Sequence, residues 1–408
     1  MALIGRNLFI GSDEEIFIGT DGYDKTTQPT SVGIITASDG AAGDQFGHSV
    51  AVGSGRIVVS ATYDDANQGS VYIFDLDGNQ LGIITASDGA SGDNFGSSVA
   101  VGSGRIVVGA DGNTVGSNAD QGSAYIFDLD GNQLGIITAS DGAAGDQFGF
   151  SVAVGSGRIV VGATYDDFGS NPNQGSAYIF DLDGNEVGIL TASDAASSDI
   201  SNFGNSVAVG SGKIVVGARY NDVGSNLNQG SAYIFDLDGN QLGILTASDG
   251  AAYDLFGWSV AVGSDKIVVG TSYNDVGSNL NQGSAYIFDL DGNQLGILTA
   301  SDGAANDYFG HSVAVGSGRI VVGAYGNDVG FNNRQGSAYI FDLDGNQLGI
   351  ITASDGAAND YFGWSVAVGS GKIVVGASYD DVGSNNGQGS AYIYDTPEVD
   401  HIFDILDK

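Results

Sequence analysis

Residues 148–162 read FGFSVAVGSGRIVVG, two short β-rich runs divided by a Gly-Ser-Gly turn. The opening Phe-Gly recurs at Phe46, Phe95, Phe148, Phe203, Phe256, Phe309 and Phe362, each time heading nearly the same string, at spacings of 49, 53, 55, 53, 53 and 53 residues. Outward from this stretch come a polar loop at 165–174, Ser-Ala-Tyr-Ile-Phe at 176–180, an Asp-Leu-Asp-Gly turn at 181–184 and Val-Gly-Ile-Leu-Thr at 187–191. Asp-Gly between two β-rich runs signals a hairpin, because Gly accepts positive φ at little cost. Four strand-like runs per period, copied seven times, predict an all-β chain: a seven-bladed β-propeller of four-stranded antiparallel blades. The runs are named A to D from the axis outward, the small residues of run A suiting the crowded centre. If they meander, the A–B and C–D turns share one face, and the B–C loops and D–A connections share the other.

The repeats begin out of phase. A lone D-type run at 33–37 precedes the first Phe-Gly, and the seventh repeat stops after its C run at Tyr392-Ile-Tyr-Asp395. The N-terminal run is therefore expected to complete the last blade, closing the ring and removing exposed sheet edges. The chain divides into an N-terminal extension (1–30), the propeller (31–395) and a C-terminal tail (396–408). In the extension, 7–10 and 16–18 read as an extra hairpin, and the tail holds the apolar run His401-Ile-Phe-Asp-Ile-Leu. Apolar segments outside a core often dock on something, so a virion or appendage partner is expected through the tails.

Lys+Arg total 12 against 49 Asp+Glu, a net charge of −37, which repels nucleic acid and anionic lipid headgroups. Cysteine is absent, so there is no disulfide framework and no thiolate metal site. The start, MALIGRNLFIGSDEE, has no Sec-type signal pattern, and no apolar stretch approaches the roughly 18–20 residues that span a bilayer, so no membrane insertion is expected.

The combination LTASDGAAxDxFGxSVAVGSG(K/R)IVVGA…GSAYIF, present over residues 33–395, closely resembles the FG-GAP repeat family, which builds the integrin α-subunit propeller, and especially its bacterial relatives. The resemblance implies a seven-bladed propeller displayed outside the cell for adhesion or protein interaction, and not catalysis. With no signal pattern and with apolar tails, the surface of a virus particle is an expectation beside that of a cell. Integrin-type calcium repeats carry D-x-D-x-D-G-x-x-D between runs A and B. Here that turn is only GSGR, GSGK or GSDK, so the integrin calcium site is carried over to no position.

Three sets of recurring residues and one varied set are candidates for chemistry. Asp-Leu-Asp-Gly, six times from Asp75/Asp77 to Asp342/Asp344, lacks the further oxygen ligands of a calcium loop and reads as a hairpin turn. The D–A connections carry a second pattern, in Asp39/Asp44, Asp302/Asp307 and Asp355/Asp360 among others; these carboxylates either chelate calcium between loops or bond backbone amides as turns. Arg56, Arg105, Arg158, Lys213, Lys266, Arg319 and Lys372 hold one position of the A–B turn, on the face of the Asp-Leu-Asp-Gly carboxylates, and salt bridging between the two is expected. The residue after Phe-Gly varies around the ring: His48, Ser97, Phe150, Asn205, Trp258, His311 and Trp364. Variation at one position of otherwise copied repeats marks a position the shared backbone does not dictate. At the axial mouth, His48, Phe150, Trp258, His311 and Trp364 would form a platform for a glycan or a surface protein; the other reading is that they pack along the rim between blades. No unique catalytic set stands out. The expectation is a non-enzymatic recognition or adhesion propeller, with a structural virion or appendage component as the alternative and a glycan-processing enzyme third.

Overall fold

Between residues 30 and 395 the chain forms seven four-stranded antiparallel sheets. In blade 3, strands A (Phe148–Gly155), B (Arg158–Ala163), C (Ser176–Phe180) and D (Glu186–Leu190) lie in that order from the axis outward. The structure is a computed structural model, which describes residues 9–10, 16–17, 29–167, 172–194, 201–263 and 265–396. Contacts divide the chain into two compact units, 29–396 and 1–28 with 397–408. Of the second, Phe9–Ile10 and Ile16–Phe17 are described, paired antiparallel where a hairpin was expected; the apolar tail run lies outside the described residues.

The core lies between blades. Strands B and C are covered on both faces, so they carry Ile-Val-Val and Ala-Tyr-Ile-Phe rather than an alternating pattern. At the junction of blades 3 and 4, small aliphatics of one blade (Ala153, Val160, Ala177, Ile179) meet Phe203, Val216, Tyr233 and Phe235 of the next. The aromatic trio is fixed edge-on, Phe203 lying 5.3 Å from Tyr233 and 6.1 Å from Phe235, and the geometry recurs around the ring. A narrow channel of about 220 Å³ runs along the axis, lined by the Val-Ala-Val segments of all seven A strands.

Backbone bonds set the spacing between blades. Each Phe-Gly phenylalanine donates its N–H to the carbonyl of a glutamine in the preceding blade, from Phe46 to Gln388 at 2.7 Å through Phe362 to Gln335 at 2.8 Å. The glycine after that glutamine must let the partner backbone pass. A Cβ on Gly175 would lie 2.1 Å from the Phe203 carbonyl oxygen, and Gly175 has φ +81°.

Ring closure follows the expected route. Thr30–Ile35 pairs antiparallel with Ser390–Asp395, with Thr30 opposite Asp395 and Ile35 opposite Ala391. The strand ends at Ile35 rather than at residue 37 because the Ala37 carbonyl already accepts the Gly40 N–H in a turn. The short spacing after Phe46 also has a local cause: blade 1 replaces the long B–C loop with a tight turn at Asp64–Asn67, where Asp65 and Ala66 take positive φ.

Deleting residues 1–38 should uncover Ser390–Asp395 and abolish cooperative melting, whereas deleting 1–25 should leave the thermal melt followed by circular dichroism unchanged. A pair of glycine variants tests blade spacing. Gly157 has φ +75° and nothing near its missing Cβ, so Gly157→Ala should cost only the left-handed penalty of about 1–2 kcal/mol. Gly175→Ala adds the clash with Phe203 and should cost at least twice as much by urea denaturation. Equal costs would mean that the blades can spread.

Candidate functional site

The bulge that opens strand A determines where the varied side chains go. In blade 3 the pairing with strand B shifts between Phe148 and Ser151; the Phe148 ring is fully buried between blades and Gly149 takes φ +98°. The next residue is thereby left at the axial end of the strand. All seven residues of this position, His48, Ser97, Phe150, Asn205, Trp258, His311 and Trp364, line one cavity of about 380 Å³, partly open to solvent.

A second varied ring joins them. The residue just after strand B is Thr62, Asp111, Thr164, Arg219, Ser272, Tyr325 or Ser378, and Thr62, Asp111 and Arg219 line the same cavity. Sequence reasoning missed this ring, although the same signal, one variable site within near-copies, marks it. Tyr63, which follows Thr62, also reaches the wall.

The aromatic side chains collect on one side. His48 lies 6.0 Å from Trp364, Trp364 4.8 Å from His311, and His311 5.5 Å from Trp258. Behind them, Tyr325 packs 4.5 Å from His311 and 5.1 Å from Trp364, and stacks on Tyr308. The wall thus runs through blades 5, 6, 7 and 1, one blade further than the tryptophans alone suggest. Phe150 lines the cavity in blade 3. Asn205 is tied into the scaffold: its amide donates to the carbonyls of Gly257 and Trp258 at 3.1 and 3.0 Å, and its Oδ1 accepts the Arg219 N–H.

Burial controls the charge state here. The histidines keep some surface toward the cavity, but protein surrounds the rings, and desolvation holds His48 down at about 4 and His311 at about 3, with repulsion from His48 and Arg219 adding to the second. Both are neutral imidazoles near pH 7. Desolvation also raises Asp111, whose carboxylate accepts a 3.2 Å bond from the Asn94 amide. Arg219 is the one cation lining the cavity among the described residues; its guanidinium lies 4.7 Å over Trp258 and 5.1 Å over Tyr220.

The recurring acids and bases occupy other places. Tyr72, Tyr125, Tyr178, Tyr233, Tyr286, Tyr339 and Tyr392 each donate a hydroxyl at 2.7–2.9 Å to the first carboxylate of a D–A connection, Asp39, Asp302 and Asp355 among them. The second carboxylates, Asp44, Asp307 and Asp360, accept the backbone N–H three residues earlier at 2.5–2.7 Å. Among the described residues no three acid or histidine side chains are grouped to hold a metal ion. In the C–D turn, Asp75 accepts the N–H groups of Asp77 and Asn79. Arg56, Arg105 and Arg158 lie 3.6–3.9 Å from Asp130, Asp183 and Asp238 of the following blade, carboxylates about four-fifths exposed. Such exposed pairs contribute little; the firmer tie is the bond from each arginine Nε to the neighbouring leucine carbonyl at 3.2–3.3 Å.

Blades 1, 3 and 7 bring a second acid to the common network, and in blades 3 and 7 it is buried. In blades 2, 5 and 6 a buried asparagine amide, of Asn113, Asn274 or Asn327, donates at 3.2 Å to Asp93, Asp254 or Asp307. Blades 3 and 7 place Asp166 and Asp380 there instead, so an acid faces an acid. Burial first, then repulsion from Asp166, Asp167 and Asp141, or from Asp380, Asp381 and Asp355, raises Asp146 and Asp360 to about 6, against the lowering effect of the backbone bonds they accept. An unfolded aspartate releases its proton near 3.8, whereas these hold theirs to about 6. Between those values the native chain binds more protons, so stability falls as pH rises through that window. The melting temperature should therefore be higher at about pH 5 than at about pH 7.5, and Asp146→Asn with Asp360→Asn should narrow the gap. A gap of unchanged size in that variant would move the effect to other acids.

A family model described as FG-GAP repeat matches residues 29–74, 79–127, 132–180, 185–235, 240–288, 293–341 and 346–394. No curated protein matches the chain. Each matched segment runs from a D strand through the A, B and C strands of the next blade, the frame in which the chain itself begins and ends the ring. Among the described residues no helix is long and apolar enough to cross a membrane. Such repeats are common in extracellular proteins, with binding or adhesion roles more typical than catalysis. Seven matches, one for each blade of the closed ring, show that the chain belongs to the FG-GAP repeat family.

Proposed function

We propose that this propeller is a non-enzymatic recognition module, displayed on a cell or virion surface, that holds a glycan or a protein partner at its axial cavity. One observation carries the reading. In seven nearly copied blades, two positions that vary from blade to blade both send side chains into the same partly open cavity, with one wall of aromatic rings. Its volume, about 380 Å³, falls in the range of small-ligand sites. Neutral imidazoles and indoles there offer flat apolar faces with hydrogen-bonding edges, the surface that sugar rings and extended peptides use. Exposed apolar side chains on the same face, Leu227, Tyr253, Leu280 and Phe331, extend the surface in blades 4 to 6; Phe331 stands fully exposed where blades 2, 3, 4, 5 and 7 have serine.

One feature favours assembly as a second reading. The outer strands turn Leu81, Leu134, Leu242 and Leu295 to solvent, each about half exposed, giving an apolar belt of the kind a decoration or fibre subunit buries against neighbours. Sedimentation of the purified chain distinguishes the two: a monomer at high concentration speaks against the belt as an assembly surface.

The test of recognition is the double variant Trp258→Ser with Trp364→Ser, serine being the residue at the equivalent Ser97. Aromatic pairing is worth about 0.5–1.5 kcal/mol per ring beyond area burial, so losing both should weaken binding to host cells or to an arrayed glycan about tenfold. The melting temperature should fall by only a few degrees. Unchanged binding with a large loss of stability would make these rings packing alone.

A further inference from the structure

Most of the described cations in this acidic chain are consumed in structural ties. Arg56, Arg105 and Arg158 bond carbonyls of the next blade, Lys372 pairs with Asp395 and Lys266 with Asp265. Arg219 is different. Among the described residues it forms no ion pair, its Nε is buried without a hydrogen-bond partner, and its charge rests on the faces of Trp258 and Tyr220. Asp111, the one acid lining the same cavity among the described residues, bonds Asn94 and not Arg219. A guanidinium presents planar pairs of donors that match a carboxylate.

Beside it stands the aromatic wall. Trp258 carries Arg219 at 4.7 Å and His311 at 5.5 Å, and Trp364 continues the surface. The second buried donor or acceptor without a partner in this cavity, Nδ1 of His48, lies at the far end of that wall. The cavity thus offers one cationic fork, a run of ring faces and an unfilled hydrogen-bonding nitrogen. A single arginine with no second cation is the charge complement of a monoanion, which favours a carboxylate over a doubly charged phosphate. Ring faces and an imidazole nitrogen suit the C–H face and hydroxyls of a sugar.

Resting on the recognition reading above, we infer that the axial cavity takes a carboxylate-bearing sugar, with the carboxylate on Arg219 and the ring against Trp258, His311 and Trp364. The chain's only tryptophans, Trp258 and Trp364, both line this cavity, so intrinsic fluorescence reports its occupancy directly. The experiment titrates glucuronate, glucose and acetate into the full chain and into Arg219→Gln and Arg219→Lys, with near-ultraviolet circular dichroism as the control for folding. Glucuronate should bind the native chain at least tenfold more tightly than glucose, and acetate should leave the emission unchanged. Arg219→Gln should bring glucuronate down to glucose, and Arg219→Lys, which keeps the charge but loses the fork, should fall between. Equal binding of glucuronate and glucose, indifferent to Arg219→Gln, would overturn the carboxylate while leaving recognition of neutral glycans standing. Acetate matching glucuronate would reduce the site to a simple anion pocket and overturn the sugar. If neither sugar changes the emission, the proposal falls; an array that still shows glycan binding sensitive to the double tryptophan variant would separate that failure from failure of the recognition reading.

Discussion

Each blade is held to the one before it by a backbone hydrogen bond from the Phe-Gly phenylalanine to a glutamine carbonyl, made where a glycine lets two main chains almost touch. Much else follows from that contact. It fixes how far apart neighbouring sheets sit, and so requires a small aliphatic face on one blade and an aromatic face on the next. It also fixes where strand A begins, and therefore which residue is delivered to the mouth of the axis. Because the contact is main chain to main chain, it leaves the residue after Phe-Gly free to vary. The site is variable because the scaffold beside it is not.

The division of labour extends to charge. Carboxylates outnumber cations about fourfold, yet many of those described are engaged: tyrosine hydroxyls and backbone amides take the D–A aspartates, and turn amides take the first Asp of each Asp-Leu-Asp-Gly. The arginines of the A–B turn reach carbonyls across the blade junction. Blades 3 and 7 break this economy by replacing an amide donor with a second acid, whose repulsion adds to the burial that raises Asp146 and Asp360; in blades 5 and 6 burial raises Asp254 and Asp307 too, but an asparagine amide there works against it.

The fold was legible because every signal was repeated. One Phe-Gly before a valine-rich run says little, but seven in register give strand order, turn placement and the out-of-phase closure. The ring at His48, Ser97 and Phe150 was legible for the converse reason, as variation against a copied background. The ring at Thr62, Asp111 and Arg219 carries the same signal but was passed over, since it opens a polar loop in which variety is unremarkable. Tyr308 and Tyr325, which back the aromatic wall, likewise sit in segments that read as loops. The aspartates were ambiguous on chemical grounds: a carboxylate that ends a turn and one that binds an ion look alike until its neighbours are known. Which blade supplies the partner of Arg56 depends on the stagger between sheets, and no pattern within one repeat encodes it.

The pairing of Thr30 with Asp395 gives the assembly a temporal order. Every other strand of the ring pairs within its own repeat, so blades 1 to 6 can form as the chain emerges from the ribosome. The strand at Thr30–Ile35 is made before any of the seven Phe-Gly repeats and must wait unpaired until Ser390–Asp395, the last strand of the ring, is made. Joining ends so distant lengthens the closed loop about sevenfold relative to one repeat, which at roughly 0.6 kcal/mol per doubling adds only about 2 kcal/mol of entropy. In return the finished ring has no first or last blade from which unzipping could begin.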